Sequence, residues 1–378
     1  MPVYIDVSAA VHQRAGLARY ASRIARTMIS EHHGAFSFAL FHNGADSCGR
    51  LAGLGPVPRS SVPLGSKPWR MMVWLSHLAG VGLDRLVPGV ELFHSTEHLL
   101  MPLQSAPTVM TVHDLAFKLY PAYHRRLNRW FLNSTMPLFL ERATAIITVS
   151  ESSKRDLMRV YGVPADKITV TYEAASPTFS PAPAERVASV RSAYGLPERY
   201  LLTVGTIEPR KNLIRLVQAL QILRRSDPEL TLVIVGGAGW LYQDFFELLE
   251  KLEQPRSVLL SGFLPDEDLP AVMSGAEALV MPSLYEGFGL PVLEAMACGT
   301  PVVSSSASSL PELGGQAARY FDPHDAAQMA SVIQTVLADQ DLRHEMRRVG
   351  MAQAASFSWE RTVRETLAVY QRVLGLPA

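Results

Sequence analysis

Short runs of β-branched and aliphatic residues alternate with stretches of helical period along most of the chain. In the second half the runs are YLLTVG, LTLVIVGG, SVLLSG, ALVMP, PVVSS and ARYF, between Tyr200 and Phe321. Apolar runs of strand length separated by helices imply a parallel sheet with helices on both faces. The clearest helix follows Asn212, where Leu213, Leu216, Val217, Leu220 and Leu223 fall on one face at i, i+3, i+4, i+7 and i+10. The first half repeats the rhythm less cleanly. VYIDV, FSFALF, ELFHS, TVMTV and AIITVS read as strands, with helices starting near Leu17, Lys67, Tyr123 and Glu151. Between the halves lies SPTFSPAPAERV, whose prolines disfavour helix and central strand alike and mark a linker. The pattern predicts two α/β domains, 1–180 and 181–357.

A length of 378 residues suits two domains, each with its own core. Two cysteines, Cys48 and Cys298, are too few for a disulfide framework, and the start MPVYIDVSAA carries no signal-peptide pattern, so a reducing cytoplasm is expected. No window approaches the roughly 20 apolar residues of a membrane span. The formal net charge of zero conceals a division: residues 1–183 hold 18 Lys and Arg against 12 Asp and Glu, and the remainder 17 against 23. A first half of about +6 suggests an anionic contact there, with chance imbalance between two soluble domains as the alternative.

Ligands of open α/β sheets bind beyond the carboxyl ends of the strands, where loops enter helices. Four such places carry candidate chemistry. In PSLYEGFGLPVLEAMACGTPVV, residues 282–303, Gly287 and Gly289 leave backbone N–H groups accessible before a helix N-terminus, and Glu286 and Glu294 can both reach one elongated polar ligand. Taken singly, Glu286 reads equally as a solvated loop carboxylate and Glu294 as a first-turn residue complementing the dipole. In TVGTIEPRKNLIRLVQAL, Arg210 and Lys211 stand before a helix N-terminus, against the macrodipole, a conflict that a bound diphosphate removes. In TVMTVHDLAFKLYPAYH, His113 and Asp114 follow an apolar strand, and alone His113 reads as a hydrogen-bonded strand-end histidine. In HQRAGLARYASRIARTMI, Gly16 precedes a helix.

Taken whole, the 282–303 string closely resembles the E-x(7)-E signature of family 4 glycosyltransferases, retaining enzymes of the GT-B fold. The similarity runs from GLARY through GTIEPRKNL and GFLPDEDL to FSWERTVRETLAVY. It implies two Rossmann-like domains with parallel sheets facing a central cleft, and a last helix, about 358–378, that crosses back onto the first domain. It implies a donor site of Gly16, Asp114, Arg210, Lys211, Glu286, Gly287, Phe288, Gly289, Leu290 and Glu294, with His113, Arg210, Lys211 and Glu286 catalytic. Arg210 and Lys211 would neutralise the donor diphosphate, Glu286 orient the sugar hydroxyls, Glu294 meet the ribose and His113 face the sugar. Members often carry two adjacent glycines where this chain has Ala15 and Gly16.

No G-x-G-x-x-G of a dinucleotide site occurs with the required spacing, no D-x-D follows a strand, and no motif for pyridoxal phosphate or nucleic acid stands out. The expectation is a cofactor-free, metal-independent hexosyltransferase. The wording is most similar to mannosyltransferases of polysaccharide assembly, which makes GDP-mannose the first donor and a UDP-hexose the second, with a glycan or lipid-linked acceptor. A catalytically silent sugar-nucleotide-binding partner of a synthase complex is the alternative from another class. KPWRMMVWL (67–75) and YHRRLNRWFL (123–132) join basic and large apolar residues. They read either as core helices with solvated arginines or as contacts with the anionic cytoplasmic face of a membrane.

Overall fold

A computed structural model describes residues 1–13, 15–30, 34, 36–45, 49 and 51–377; Cys48 lies outside them. Among the described residues thirteen strands form two sheets, with every pairing parallel. The first contains β1 (Pro2–Asp6), β2 (Ser37–Asn43), β3 (Arg59–Val62), β4 (Leu92–Ser95), β5 (Thr108–Val112), β6 (Ala145–Thr148) and β7 (Ile168–Val170). Its order is β3-β2-β1-β4-β5-β6-β7. The second contains β8 (Tyr200–Val204), β9 (Thr231–Val235), β10 (Val258–Gly262), β11 (Ala278–Met281), β12 (Val302–Ser305) and β13 (Ala318–Phe321), in the order β10-β9-β8-β11-β12-β13. In both orders the chain starts in the middle and reverses direction once, which opens a switch point beside the first strand.

The inner strands of each sheet are buried on both faces, and their near-continuous aliphatic runs follow from that burial. All six runs expected in the second half are strands. The helix Leu213–Leu223 buries all five residues of its predicted face. Three elements were not anticipated. In β3 and β7, RSSV is mostly polar and ITV is only three residues long, and both lie at sheet edges, where one side needs no partner. The proline stretch ends in a helix, Ala184–Ala193, because Pro183 takes the N-cap, where a missing N–H costs nothing.

The chain divides into two compact units, one of residues 1–115, 127–173 and 358–378, the other of 116–126 and 174–357. Two segments inside the expected first domain, 116–126 and 174–180, thus group with the second unit. For the first of these the reason is visible in its contacts. The Tyr120 hydroxyl donates to the Leu284 carbonyl at 3.2 Å, and Trp240 Nε1 donates to the Tyr123 carbonyl at 2.7 Å. The Tyr120 ring also packs on Tyr285, centroids 5.6 Å apart.

In the first unit the helix Trp359–Val373, capped by the Ser358 hydroxyl on Arg361 N at 3.1 Å, buries Trp359, Val363, Leu367, Val369 and Tyr370. Tyr370 reaches His94, whose Nδ1 lies 2.6 Å from the hydroxyl, while His94 Nε2 lies 2.7 Å from Thr111 Oγ1. Burial, followed by the charge of His113, pushes the His94 pKa down to about 3, so a neutral ring joins strand to terminal helix. Tyr370→Phe should therefore strand a buried ring nitrogen and destabilise the protein by about 1–3 kcal/mol, seen as an earlier midpoint in chemical denaturation.

Candidate functional site

Two loops of the second unit build a largely buried cluster of charges. The first follows β8 and runs from Gly205 to Asn212. It begins with a close backbone approach: a Cβ on Gly236, at φ +146°, would lie 2.0 Å from the Gly205 carbonyl oxygen, so only glycine fits. The loop closes in a 3-10 turn, Pro209–Lys211, which presents Arg210 and Lys211 just ahead of the helix Leu213–Leu223. Asn212 sits in the left-handed region at φ 57°, and its Nδ2 donates to the carbonyls of Pro282 at 3.0 Å and Pro323 at 2.8 Å. That side chain ties the first loop to the second.

The second loop follows β11 and runs from Pro282 to Gly289, where Gly289 at φ +115° caps the helix Leu290–Ala297. A Cβ there would meet Leu310 Cδ2 at 2.7 Å. The whole loop is buried, contrary to the expectation of accessible glycine N–H groups. Its backbone polar groups are partly taken up internally: the Ser309 hydroxyl lies 2.9 Å from the Glu286 carbonyl oxygen and 2.5 Å from that of Phe288, able to donate to either, and Glu286 N donates to Ser308 Oγ at 2.8 Å.

Glu286 is neither solvated nor isolated. It is 7% exposed, and Lys211 Nζ donates to its Oε1 at 2.6 Å, Ser283 Oγ to the same oxygen at 2.6 Å, and Arg210 Nη1 to Oε2 at 2.8 Å. Arg210 Nη1 also donates to the Tyr285 carbonyl at 2.6 Å, and Nη2 to Glu208 Oε1. Burial opposes ionisation of Glu286, but the charges of Arg210 and Lys211 outweigh it and, with the Lys211 and Ser283 hydrogen bonds, lower its pKa to about 2. Burial raises the Glu208 carboxyl above its ordinary range, against the attraction of Arg210 and Lys211. Two half-buried cations and two buried carboxylates thus share one cluster at the carboxyl ends of β8 and β11. Glu208 and Ser283 were missed by sequence reasoning, although both stand in the segments that supplied the candidates.

Glu294 lies on the interior of the helix Leu290–Ala297, 2% exposed; Phe288 is buried with its ring 6.5 Å from Phe357; Leu290 opens the helix. His113, Asp114 and Gly16 belong to the first unit. His113 directly follows β5, is 8% exposed, and pairs with Glu173, another residue that the sequence reading passed over. Asp114 is half-buried beside it. Gly16 is exposed and lies inside the helix Ala15–Ser30, not before it, with open space where a Cβ would stand. Among the described residues no group of three His, Cys, Asp or Glu could hold a metal ion.

Residues 14–179 match the family described as Glycosyltransferase Family 4, and residues 190–352 the family described as Glycosyl transferases group 1. The chain is 36% identical over 273 residues to O-antigen chain mannosyltransferase B of Escherichia coli, covering 72% of each protein. A second Escherichia coli protein, serotype-specific mannosyltransferase WbdA, is 33% identical over 239 residues, which cover 62% of this chain and 29% of that much longer one. Among solved structures, sucrose-phosphate synthase from Thermosynechococcus elongatus aligns with a TM-score of 0.76 over 99% of both chains at 21% identity, a likeness of fold.

The ion cluster has a pH signature. Because the Glu286 carboxyl falls from its ordinary 4.5 to about 2 in the folded protein, its ionisation stabilises the fold above about pH 4.5, and that contribution is lost as the pH falls toward about 2. Thermal melts of wild type and Glu286→Gln should differ most near neutrality and converge through that window.

Proposed function

The chain is a glycosyltransferase of family 4, and from that premise we propose that it moves a mannosyl group from GDP-mannose to a hydroxyl of a glycan or lipid-linked acceptor, with retention at the anomeric carbon and without a bound metal. The observation that carries this reading is the Arg210–Lys211 pair held at the end of β8. As the bond between sugar and diphosphate stretches, negative charge grows on the leaving oxygens. Two preorganised cations at that point stabilise it, in the place where other transferases put a divalent ion. Arg210 offers a planar fork and Lys211 a compact charge, a suitable pair for a diphosphate.

Both cations are paired with carboxylates, Arg210 with Glu286 and Glu208 and Lys211 with Glu286. The donor therefore enters a cluster that is already charge-balanced, and the diphosphate competes with a carboxylate for the same donors. Released from one cation, Glu286 is free to accept from sugar hydroxyls, and Glu294, eight residues along the same segment, is assigned to the ribose. The choice of mannose over a UDP-hexose rests on the mannosyltransferases of Escherichia coli to which the chain is similar. Glu286→Ala and Lys211→Ala should each lower transfer at least about a hundredfold while keeping the fold. Activity of both variants within about threefold of wild type would remove the site from the reaction. Transfer should also persist in excess EDTA; abolition with rescue by Mg²⁺ or Mn²⁺ would contradict metal independence.

The acceptor side of the reading includes a peripheral contact with an anionic membrane. Among the described residues no helix is long and apolar enough to cross one. The helix Ser66–Ala79 has apolar residues on two sides. Trp69, Val73 and His77 are buried, and Met71, Leu75 and Leu78 stand out at 39%, 57% and 64% exposure. Trp74 packs on Trp130 at 5.4 Å, and Leu127 and Trp130 continue the exposed surface at 82% and 54%. Lys67 is exposed on the same helix, and Arg70 lies over the Phe131 ring at 4.1 Å. Trp69 and Phe131 are thus core, whereas Leu75, Leu78, Leu127 and Trp130 are available to a headgroup boundary. Arg125 instead stands 5.8 Å from the Trp240 ring of the second unit. Co-sedimentation with vesicles should rise with anionic lipid, fall with salt, and drop in Leu75→Glu/Leu78→Glu; equal amounts of both proteins in the supernatant at low salt would make the acceptor a soluble one.

A further inference from the structure

His113 sits in the first unit in a setting that fixes its protonation state by the chemistry of its neighbours. Its Nε2 lies 2.9 Å from the Thr96 carbonyl oxygen, which can only accept, so Nε2 carries a proton. Its Nδ1 lies 3.6 Å from Glu173 Oε1. A bare ring nitrogen would aim its lone pair at that carboxylate, so Nδ1 is favoured in its protonated form as well. Both partners are buried, Glu173 at 4% exposure and His113 at 8%, so the attraction is little screened by water.

The surroundings are consistent with one positive charge at this point. Tyr20, from the helix Ala15–Ser30, meets the His113 ring edge-on at 4.7 Å, and its own pKa is pushed far up by burial. His94 on β4 stays neutral. His98 Nε2 accepts from the His113 backbone N–H at 3.0 Å, so that nitrogen is unprotonated. Asp114, next in the chain, adds negative charge. Burial alone would lower the His113 pKa; Glu173, the Thr96 carbonyl and Asp114 outweigh it and raise it.

We infer that Glu173 is a positioning residue that keeps His113 as a doubly protonated imidazolium, so that His113 enters the transfer as a fixed cation and not as a base. This rests on the reading of His113 as a group of the transferase site. Glu173 lies in TYEAASP, after the short edge strand β7 and ahead of the proline stretch. The carboxylate sets the charge and the Thr96 carbonyl sets the ring orientation. Neither partner leaves a ring nitrogen with a lone pair for proton abstraction.

Side-chain ¹⁵N NMR of the histidines, titrated from about pH 6 to about pH 10, tests the protonation directly, since an ordinary histidine is half neutral at about 6.5. Wild-type His113 should keep both ring protons past neutrality. Glu173→Gln should leave a neutral ring with its proton on Nε2, and Glu173→Asp should restore part of the imidazolium. A neutral His113 near pH 7 in the wild type, or an unchanged titration in Glu173→Gln, overturns the inference; the wild-type titration decides it even where the variant does not fold. The activity profile separately tests the reading beneath it. The alkaline limb of kcat should move down by at least about one pH unit in Glu173→Gln, with KM for the donor little changed. An unmoved limb alongside the expected NMR shift would leave the imidazolium standing and take His113 out of the reaction.

Discussion

The second unit depends on keeping two half-buried cations and two buried carboxylates in register between the loops after β8 and β11. Taking such charges out of water costs several kcal/mol per ion unless each finds a partner of good geometry. Arg210 and Lys211 meet that condition only because Glu286 arrives from the neighbouring loop and Glu208 from their own. The rest of the unit follows from holding those loops. Asn212 in a left-handed conformation bonds across to the Pro282 and Pro323 carbonyls, Gly236 lets the strand ends approach, and Gly289 admits Leu310. The parallel sheet beneath is an aliphatic platform that fixes both strand ends in space. Preorganisation of this kind lets a site stabilise charge without rearranging at the moment of reaction.

The first unit solves a similar problem with a single charge. His113 ends β5, and its ring is bracketed by the Thr96 carbonyl, the Glu173 carboxylate and the Tyr20 ring. Behind it the neutral His94 is closed by Thr111 and Tyr370, so the terminal helix Trp359–Val373 contributes to the shell that supports this wall. Segments far apart in sequence meet at this point, since His94 and Tyr370 are 276 residues apart.

Much of this was legible in the sequence, and the rest was hidden for physical reasons. Burial on both faces writes a strand as an aliphatic run, so all six strands of the second sheet could be read, and so could the buried face of Leu213–Leu223. Edge strands escape that logic: Arg59–Val62 is mostly polar and Ile168–Val170 too short to show a period. The helix Ala184–Ala193 was hidden because proline marks a linker and a helix start equally well. Arg210, Lys211 and Glu286 could be named from their place between strand and helix, but not that the glutamate would hold both cations. Glu208 and Glu173 lacked any local signal. A carboxylate in a loop reads as surface until the fold buries it, and only the three-dimensional partner makes it informative. The grouping of 116–126 with the second unit depends on contacts with Trp240, Leu284 and Tyr285, more than a hundred residues away, which no local pattern encodes.

If this charge cluster receives the donor diphosphate, as proposed, it also binds the free nucleoside diphosphate. Calorimetric titration of GDP, which carries the diphosphate and no sugar, tests it with the fewest assumptions, using wild type, Lys211→Met and Glu286→Gln. Lys211→Met should weaken GDP by at least about tenfold, the equivalent of about 1.4 kcal/mol. Glu286→Gln, which removes the anion competing for the same cations, should bind GDP at least as tightly as wild type. A Lys211→Met affinity within about twofold of wild type, or a loss of GDP binding in Glu286→Gln, would contradict the assignment.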